Sequence, residues 1–262
     1  MEPALVALCA LLGLVFGSFA NVVIHRVPAG ESIVRPPSAC PRCGNAIAPR
    51  DNIPVVSWLL LRGRCRHCRE PIPGRYPAVE IAMAALFAAV GWRVGLDWAL
   101  PAFLLFAWLL AVVAVIDAQT RKIPNRLTYP LTPALAVLLA VAAVASGQPG
   151  RLVPALVGGV AGFGALLLLA IVQPRGMGIG DVKLAGFIGL GLGYLGGWPL
   201  VLLGLFGGFL LGGVVAVTLV ATRLRRRRDL IPFGPYLSAG AVVALLFGEP
   251  IIDAYLRSMG LR

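Results

Sequence analysis

Two sets of residues in this chain have the types and spacing needed for chemistry. The first is Cys40-Pro-Arg-Cys43 and Cys65-Arg-His-Cys68. Each C-x-x-C knuckle presents two thiols on one tight turn. The two knuckles are separated by 21 residues, close to zinc-ribbon spacing and slightly beyond its common range. Four thiolates complete a tetrahedral structural zinc site. The competing chemistry is a pair of disulfides, which requires an oxidising compartment. With four thiols available, His25 and His67 read as surface or interface histidines.

The second set is a pair of carboxylates, Asp117 and Asp181. Asp181 lies in Arg175-Gly-Met-Gly-Ile-Gly-Asp-Val-Lys183, between the apolar runs 153–172 and 184–194. Asp117 closes the apolar run 98–116. A carboxyl at the edge of such a run is costly in lipid, so it should face protein or a water-filled cavity. The alternating glycines weaken a helix, permit positive φ, and leave room for an extended peptide to approach. If the two carboxyls share a site, they hold one proton between them. The ionised partner then takes a proton from water while the protonated one polarises an amide carbonyl, as in aspartic proteases. The competing readings are ion or proton coupling in a transporter, and two carboxylates that merely cap or end their helices. Spacing alone does not choose among them. Serine and cysteine nucleophiles lack a constellation, because the chain has only two His and its paired cysteines are all in the knuckles. Asp51 has no evident partner, and Asp97, Asp229 and Asp253 read as ordinary loop charges.

The elements that must position these groups are membrane helices. The 262 residues are 59% hydrophobic and 13% charged, with a mean hydropathy of +0.88. A soluble domain would carry about 25% charged residues. Apolar runs of roughly 20 residues, enough to span a bilayer, are expected at 5–24, 79–94, 98–116, 129–145, 152–172, 184–195, 199–222 and 231–248. The sixth is short and should begin at or before Asp181. No basic segment precedes the first run, so it is expected to be a span and not a cleaved signal peptide. The fold class is therefore all-α and polytopic, with about eight transmembrane helices. The expected domains are a first helix (1–24), a small loop domain stapled by zinc (25–77), and a core of about seven helices (78–262).

The net charge of +12 does not indicate nucleic acid, because the basic residues sit in loops between apolar runs. If the cysteine loop is cytoplasmic, 19 of the 23 Lys and Arg lie on that side, a bias that sets orientation. The thiols then lie in a reducing compartment, which favours zinc over disulfides. Asp117 and Asp181 fall at the same cytoplasmic face. The arginines at 223 and 225–228 read as an anchor to that face, with anionic lipid as a further contact.

In this order the motifs resemble the type IV prepilin peptidase family, membrane aspartic proteases with a Gly-x-Gly-Asp site. The likeness covers nearly the whole chain. It includes Gly17-Ser-Phe-Ala-Asn-Val-Val-Ile-His-Arg-Val-Pro28, the two knuckles, Asn52-Ile-Pro-Val-Val-Ser-Trp-Leu59 and Arg75-Tyr-Pro-Ala-Val-Glu80. It continues with Asp117 and its downstream Ile-Pro-Asn-Arg-Leu-Thr128, Gly176-Met-Gly-Ile-Gly-Asp-Val-Lys-Leu184 and Ile231-Pro-Phe-Gly-Pro-Tyr236. The resemblance implies cleavage of prepilin or pseudopilin leaders at the cytoplasmic face of the inner membrane. It assigns catalysis to Asp117 and Asp181, support to Gly178 and Gly180, and zinc to Cys40, Cys43, Cys65 and Cys68. It also implies methylation of the new N-terminal amine with S-adenosylmethionine, although no Rossmann-type glycine fingerprint is present. One departure is Asn125, where the family pattern has Asp, which removes a negative charge near Asp117.

Overall fold

The computed structural model describes residues 2–173, 177–224 and 231–260. Arg175, Gly176, Arg225 to Arg228 and Asp229 lie outside the described residues. Among those described, eight helices are long and apolar enough to cross a membrane, and no strand forms. The chain divides into two compact units, Met1–Leu96 and Asp97–Arg262.

The first unit contains α1 (Pro3–Arg26), the short α2 (Val56–Leu60) and α3 (Arg75–Val94). Small residues on one face of α1 let α3 approach closely. A Cβ at Gly13 would lie 2.6 Å from the Ala84 backbone, and one at Gly17 would lie 2.7 Å from Glu80 Cα. In return, Cys9 fills the space left by Gly91. Cys9 is thus a small core residue, as its place in an apolar run suggests. Asn21 Nδ2 donates across the pair to the Tyr76 carbonyl at 3.0 Å. Between the two spans, the loop is tied by paired turns and not by a core of its own.

The second unit contains α4 (Leu100–Thr120), α5 (Asn125–Ala145), α6 (Leu152–Val172), α7 (Ile179–Gly196), α8 (Trp198–Ala221) and α9 (Gly234–Ser258). Two helices are distinguished by burial. In α4 and α7, 67% of the spanning window is buried, against 28–39% in the other four. A helix that is apolar on all sides belongs inside a bundle, and α4 buries Phe103, Phe106, Leu109, Leu110, Val113 and Ile116. Phe106 stacks on Phe187 of α7, with ring centroids 5.2 Å apart. The helices around them present Val157, Val160, Phe206, Leu210 and Val217 outward, as lipid-facing spans should. Glycine contacts again set the spacing, with Gly158 and Gly162 of α6 against α7 and Gly204 and Gly208 of α8 against α9.

The sixth span begins before Asp181, as expected from its length. The eighth differs from expectation: α9 continues past Gly248 to Ser258, so Pro250 and Asp253 lie inside a helix. Proline removes one backbone hydrogen bond there, but the helix resumes on its far side.

Candidate active site

The two aspartates sit on the two innermost spans of the second unit. Asp117 lies in the last turn of α4 and is buried, at 4% exposure. Below it the helix is sealed by apolar neighbours. After it, Arg121 adopts the left-handed conformation and donates its N–H to the Asp117 carbonyl at 2.8 Å, which ends the helix. Pro124 then starts α5. Asp181 stands in the first turn of α7, where its Oδ2 accepts the Gly178 N–H at 3.2 Å. Reaching back to the capping residue in this way satisfies one of the amides that a helix start leaves open. Gly180, beside Asp181, packs on Ile123 of the loop that leaves Asp117. The first turn of α7 therefore lies against the segment that follows Asp117.

A third segment completes the site. The Gly234 N–H, at the start of α9, donates to Asp117 Oδ2 at 2.8 Å. A Cβ at position 234 would lie 2.8 Å from that oxygen and 3.2 Å from Asp117 Cγ. No larger residue fits unless the carboxylate moves. Both carboxylates thus rest against the N-terminal end of a helix, where amides point outward and negative charge is favoured. The sequence carried Gly234 only as a motif letter. Its signal was a glycine between Phe233 and Pro235 facing an apolar run, and nothing local named its partner 117 residues away.

Neither glycine before Asp181 uses the positive φ that the sequence allowed. Gly178 has φ −81°, extended backbone open to any residue, and Gly180 is already helical. Gly180 is small because a Cβ there would meet Ile123 Cβ at 2.8 Å. The loop leaving Asp117 therefore packs directly on the first turn of α7. Lys183 adds a second tie, its Nζ donating to Asn125 Oδ1 at 2.8 Å and to the Tyr129 hydroxyl at 2.9 Å. Asn125 is thus the partner of a lysine. Thr128 (2% exposed) and Ser238 (3%) carry buried hydroxyls with no hydrogen-bond partner among the described residues. Ser238 lies one helical turn from Gly234. Such groups are open to water or a bound peptide.

In the first unit, the four thiols Cys40, Cys43, Cys65 and Cys68 converge, with Sγ atoms all within 4.8 Å of one another. All five cysteines are free. Neither histidine joins the cluster. Cys40 Sγ and Cys68 Sγ are 3.7 Å apart, against an edge of roughly 3.8 Å for tetrahedral Zn–S bonds near 2.3 Å. The knuckles repeat one another. The N–H of Cys40 donates to the Asn45 carbonyl and that of Cys65 to the Glu70 carbonyl, each at 2.9 Å. The residue after each second cysteine is left-handed, Gly44 in one and Arg69 in the other. The backbone amides of Cys43 and Arg42 lower the Cys40 thiol to about 7. At Cys68, the Glu70 amide lowers the thiol, but desolvation and the neighbouring thiols outweigh it and push it up to about 12. Four thiols this close do not all ionise without a cation among them, and the donor set fits a soft tetrahedral metal.

Two other carboxylates acquire partners. Asp51 is held by Arg66, with contacts of 2.5 to 3.1 Å, which corrects the expectation that it has none. Glu80, inside α3 and 8% exposed, accepts the Val55 N–H at 2.7 Å.

Comparison with known proteins covers both units. Residues 11–94 match the bacterial peptidase A24 N-terminal domain, and residues 104–217 match the type IV leader peptidase family. A Pseudomonas aeruginosa protein named prepilin leader peptidase/N-methyltransferase is 37% identical, over 100% of this chain and 97% of its own length. Proteins of the same name are 35% identical in Bacillus subtilis, over 94% of this chain and 96% of theirs, and 39% identical in Burkholderia pseudomallei, over 93% and 86%. No solved structure matches. Two matched domains in the expected order, and relatives aligned over nearly their full length, make this chain a member of the type IV leader peptidase family.

Proposed function

We propose that this chain is a membrane aspartic endopeptidase that removes leader peptides from type IV prepilins or pseudopilins at the cytoplasmic membrane face. The observation that supports the reading is the placement of Asp117 and Asp181 at the ends of the two most buried spans, with Gly234 clamping one oxygen of Asp117 and Gly180, beside Asp181, packed on Ile123 of the loop after Asp117. Two carboxyls that share a site ionise in coupled steps, so one proton serves both. The ionised member takes a proton from the attacking water. The protonated member donates to the scissile carbonyl, which lowers the barrier to the tetrahedral intermediate. Gly234 keeps Asp117 Oδ2 occupied and fixes the carboxylate plane, so that Oδ1 is the oxygen left for chemistry. Gly178 does the same for Asp181 Oδ2. Burial around Asp117 keeps bulk water away and strengthens both interactions.

Cys40, Cys43, Cys65 and Cys68 are assigned to a structural zinc. The metal would neutralise the thiolates and hold a loop too small to fold on its own core. The names of the relatives, prepilin leader peptidase/N-methyltransferase, support a second activity here, methylation of the new N-terminal amine with S-adenosylmethionine as donor. Prepilin-type chains are the substrates, the multi-pass body lies in the inner membrane, and no nucleic acid is a partner. A proton-coupled transporter or a non-catalytic assembly factor explains the aspartates or the knuckles singly, and no observation favours either.

The test is mass spectrometry of a prepilin-like substrate incubated with the protein in lipid nanodiscs. It reads the cleavage position and any added methyl group together. Cleavage at an unchanged rate by a chain carrying both Asp117→Ala and Asp181→Ala would end the reading.

A further inference from the structure

The segment 52–60 is quoted in the family likeness, yet neither the aspartates nor the thiols use it. Its backbone is unusual. Val55 has φ 60° and ψ −50°, and the Val56 N–H donates to the Pro54 carbonyl at 2.6 Å. That is a γ-turn of the rare, strained hand, centred on a β-branched residue that seldom tolerates positive φ. Such strain persists only where the surroundings over-determine it. Here the surrounding group is Glu80, whose carboxylate accepts the Val55 N–H at 2.7 Å.

What the turn presents is α2. Its inner side is tied to the loop. Ser57 donates to the Arg50 carbonyl and accepts the Ile53 N–H, and the Trp58 indole donates to the Ile72 carbonyl. Its outer side is apolar and uncovered. Ile53, Val56, Leu59 and Leu60 are 49, 48, 60 and 77% exposed, and Val56, Leu59 and Leu60 fall on one helical face. The depth of this face follows from Glu80. Glu80 is five residues into α3 from Arg75, about 7.5 Å along the axis. The headgroup zone of one leaflet is roughly 5–8 Å thick. With Arg75 at the water edge of the headgroups, Glu80 falls near the boundary with the acyl chains, and α2 is hydrogen-bonded to that level. The next α3 residue, Ile81, is 54% exposed, so the exposed apolar surface of the span begins at the level to which α2 is tethered. Exposed Arg62 and Arg64 follow in the chain, suitably placed for anionic headgroups.

We infer that α2 is an interfacial helix: Ile53, Val56, Leu59 and Leu60 enter the acyl boundary of one leaflet, Arg62 and Arg64 meet its phosphates, and the Glu80–Val55 hydrogen bond sets the depth. The occupant of the exposed face is lipid, because the face is tethered at the level where the exposed apolar surface of a spanning helix begins and is followed by cations. The inference is independent of the peptidase reading.

The experiment uses the full chain, zinc-loaded, in nanodiscs whose lipids carry bromine on the acyl chain. An environment-sensitive fluorescent amino acid replaces Leu60, and in separate chains Leu11 (α1, 61% exposed) or the exposed Glu70 of the second knuckle. Bromine should quench the probe at 60 nearly as strongly as at 11, and the probe at 70 little. Quenching at 60 as weak as at 70 overturns the inference. Aqueous iodide then tells whether water or protein, including a second copy, covers the face. In Glu80→Ala chains that retain their metal, bromine quenching at 60 should fall toward the value at 70, and unchanged quenching would remove Glu80 as the tether.

Discussion

In the first unit, four thiols come from two turns that repeat one another within residues 40 to 68, each closing with the same pair of backbone hydrogen bonds. In the second, two carboxylates and one backbone amide come from the ends of three separate helices, α4, α7 and α9, with Asp117 and Gly234 separated by 117 positions in the chain. The thiol site is local, and any metal it holds would supply most of its own cohesion. The carboxylate site has no ligand to gather it. It depends on helix packing throughout the unit, on Phe106 against Phe187 and on Gly180 against Ile123. Local sites should therefore fail alone when mutated, and the distributed site should respond to changes that touch no carboxylate.

The largest effect tests the distributed site at its centre. Asp117→Asn or Asp181→Asn should lower prepilin cleavage by about three orders of magnitude, the scale of acid–base catalysis. The metal content of the first unit should be unchanged. Loss of metal in either variant, measured by atomic absorption, would show that the units do not fail separately.

Gly234→Ala comes next and is the sharper probe. The added methyl would sit 2.8 Å from Asp117 Oδ2, so the carboxylate must move. Displacement near 1 Å at a reacting group costs about a hundredfold, and the loss should appear in kcat. Gly178→Ala makes a useful contrast. Its new Cβ meets Asp181 Oδ2 at 3.3 Å with ordinary backbone angles, so it should cost far less.

Cys40→Ser should release the metal and expose residues 25–77 to protease, because binding and folding are one equilibrium in such loops. Cleavage should fall much less than with either aspartate variant. N-methylation, if the loop carries it, should fall further than cleavage. Equal loss of both would contradict the separation drawn above.

This contrast also explains what could be read from the chain alone. The knuckles and eight spans were legible because each is written in neighbouring residues: a two-residue gap, or twenty apolar positions in a row. Asp117 and Asp181 were legible as types, since carboxylates at span ends are conspicuous. Their clamps were not. Gly234 acts through a backbone N–H, which every residue except proline possesses, and only the helix packing reveals which carboxylate receives it. The packing contact of Gly180 was hidden for the same reason. A glycine's missing Cβ leaves room for something, and Ile123 was not visible as its occupant. The end of α9 was misplaced because Gly248 and Pro250 read locally as a stop. Val55 left no trace at all, since valine is among the last residues to suggest a left-handed turn.

A smaller effect joins the two aspartate segments at their margins. Lys183→Met removes the tie to Asn125 and Tyr129. Asn125→Asp instead gives that lysine a charged partner. A partly exposed pair contributes within about 1 kcal/mol, so the first should lower and the second raise thermal stability by a small amount, read as shifts in Tm. A large loss of cleavage in Asn125→Asp would show that position 125 addresses the aspartates as well as Lys183.

The smallest effect lies in the loop. The Arg66 guanidinium against Asp51 holds that carboxyl below its usual range. A folded value lower than the unfolded one means the pair adds stability above the unfolded value, about 3.9, and loses it as pH falls through the lowered one. Between pH 7 and 5 the contribution should be constant. Below about 4 the wild-type loop should lose part of its advantage over Asp51→Asn, read as converging rates of protease cleavage within 25–77. The pair is at the surface, so added salt should shrink the difference even at neutral pH. A difference that salt leaves intact would mean Asp51 acts through the fold of the second knuckle, where Arg66 follows Cys65, and the thiol site would then be less local than its spacing suggests.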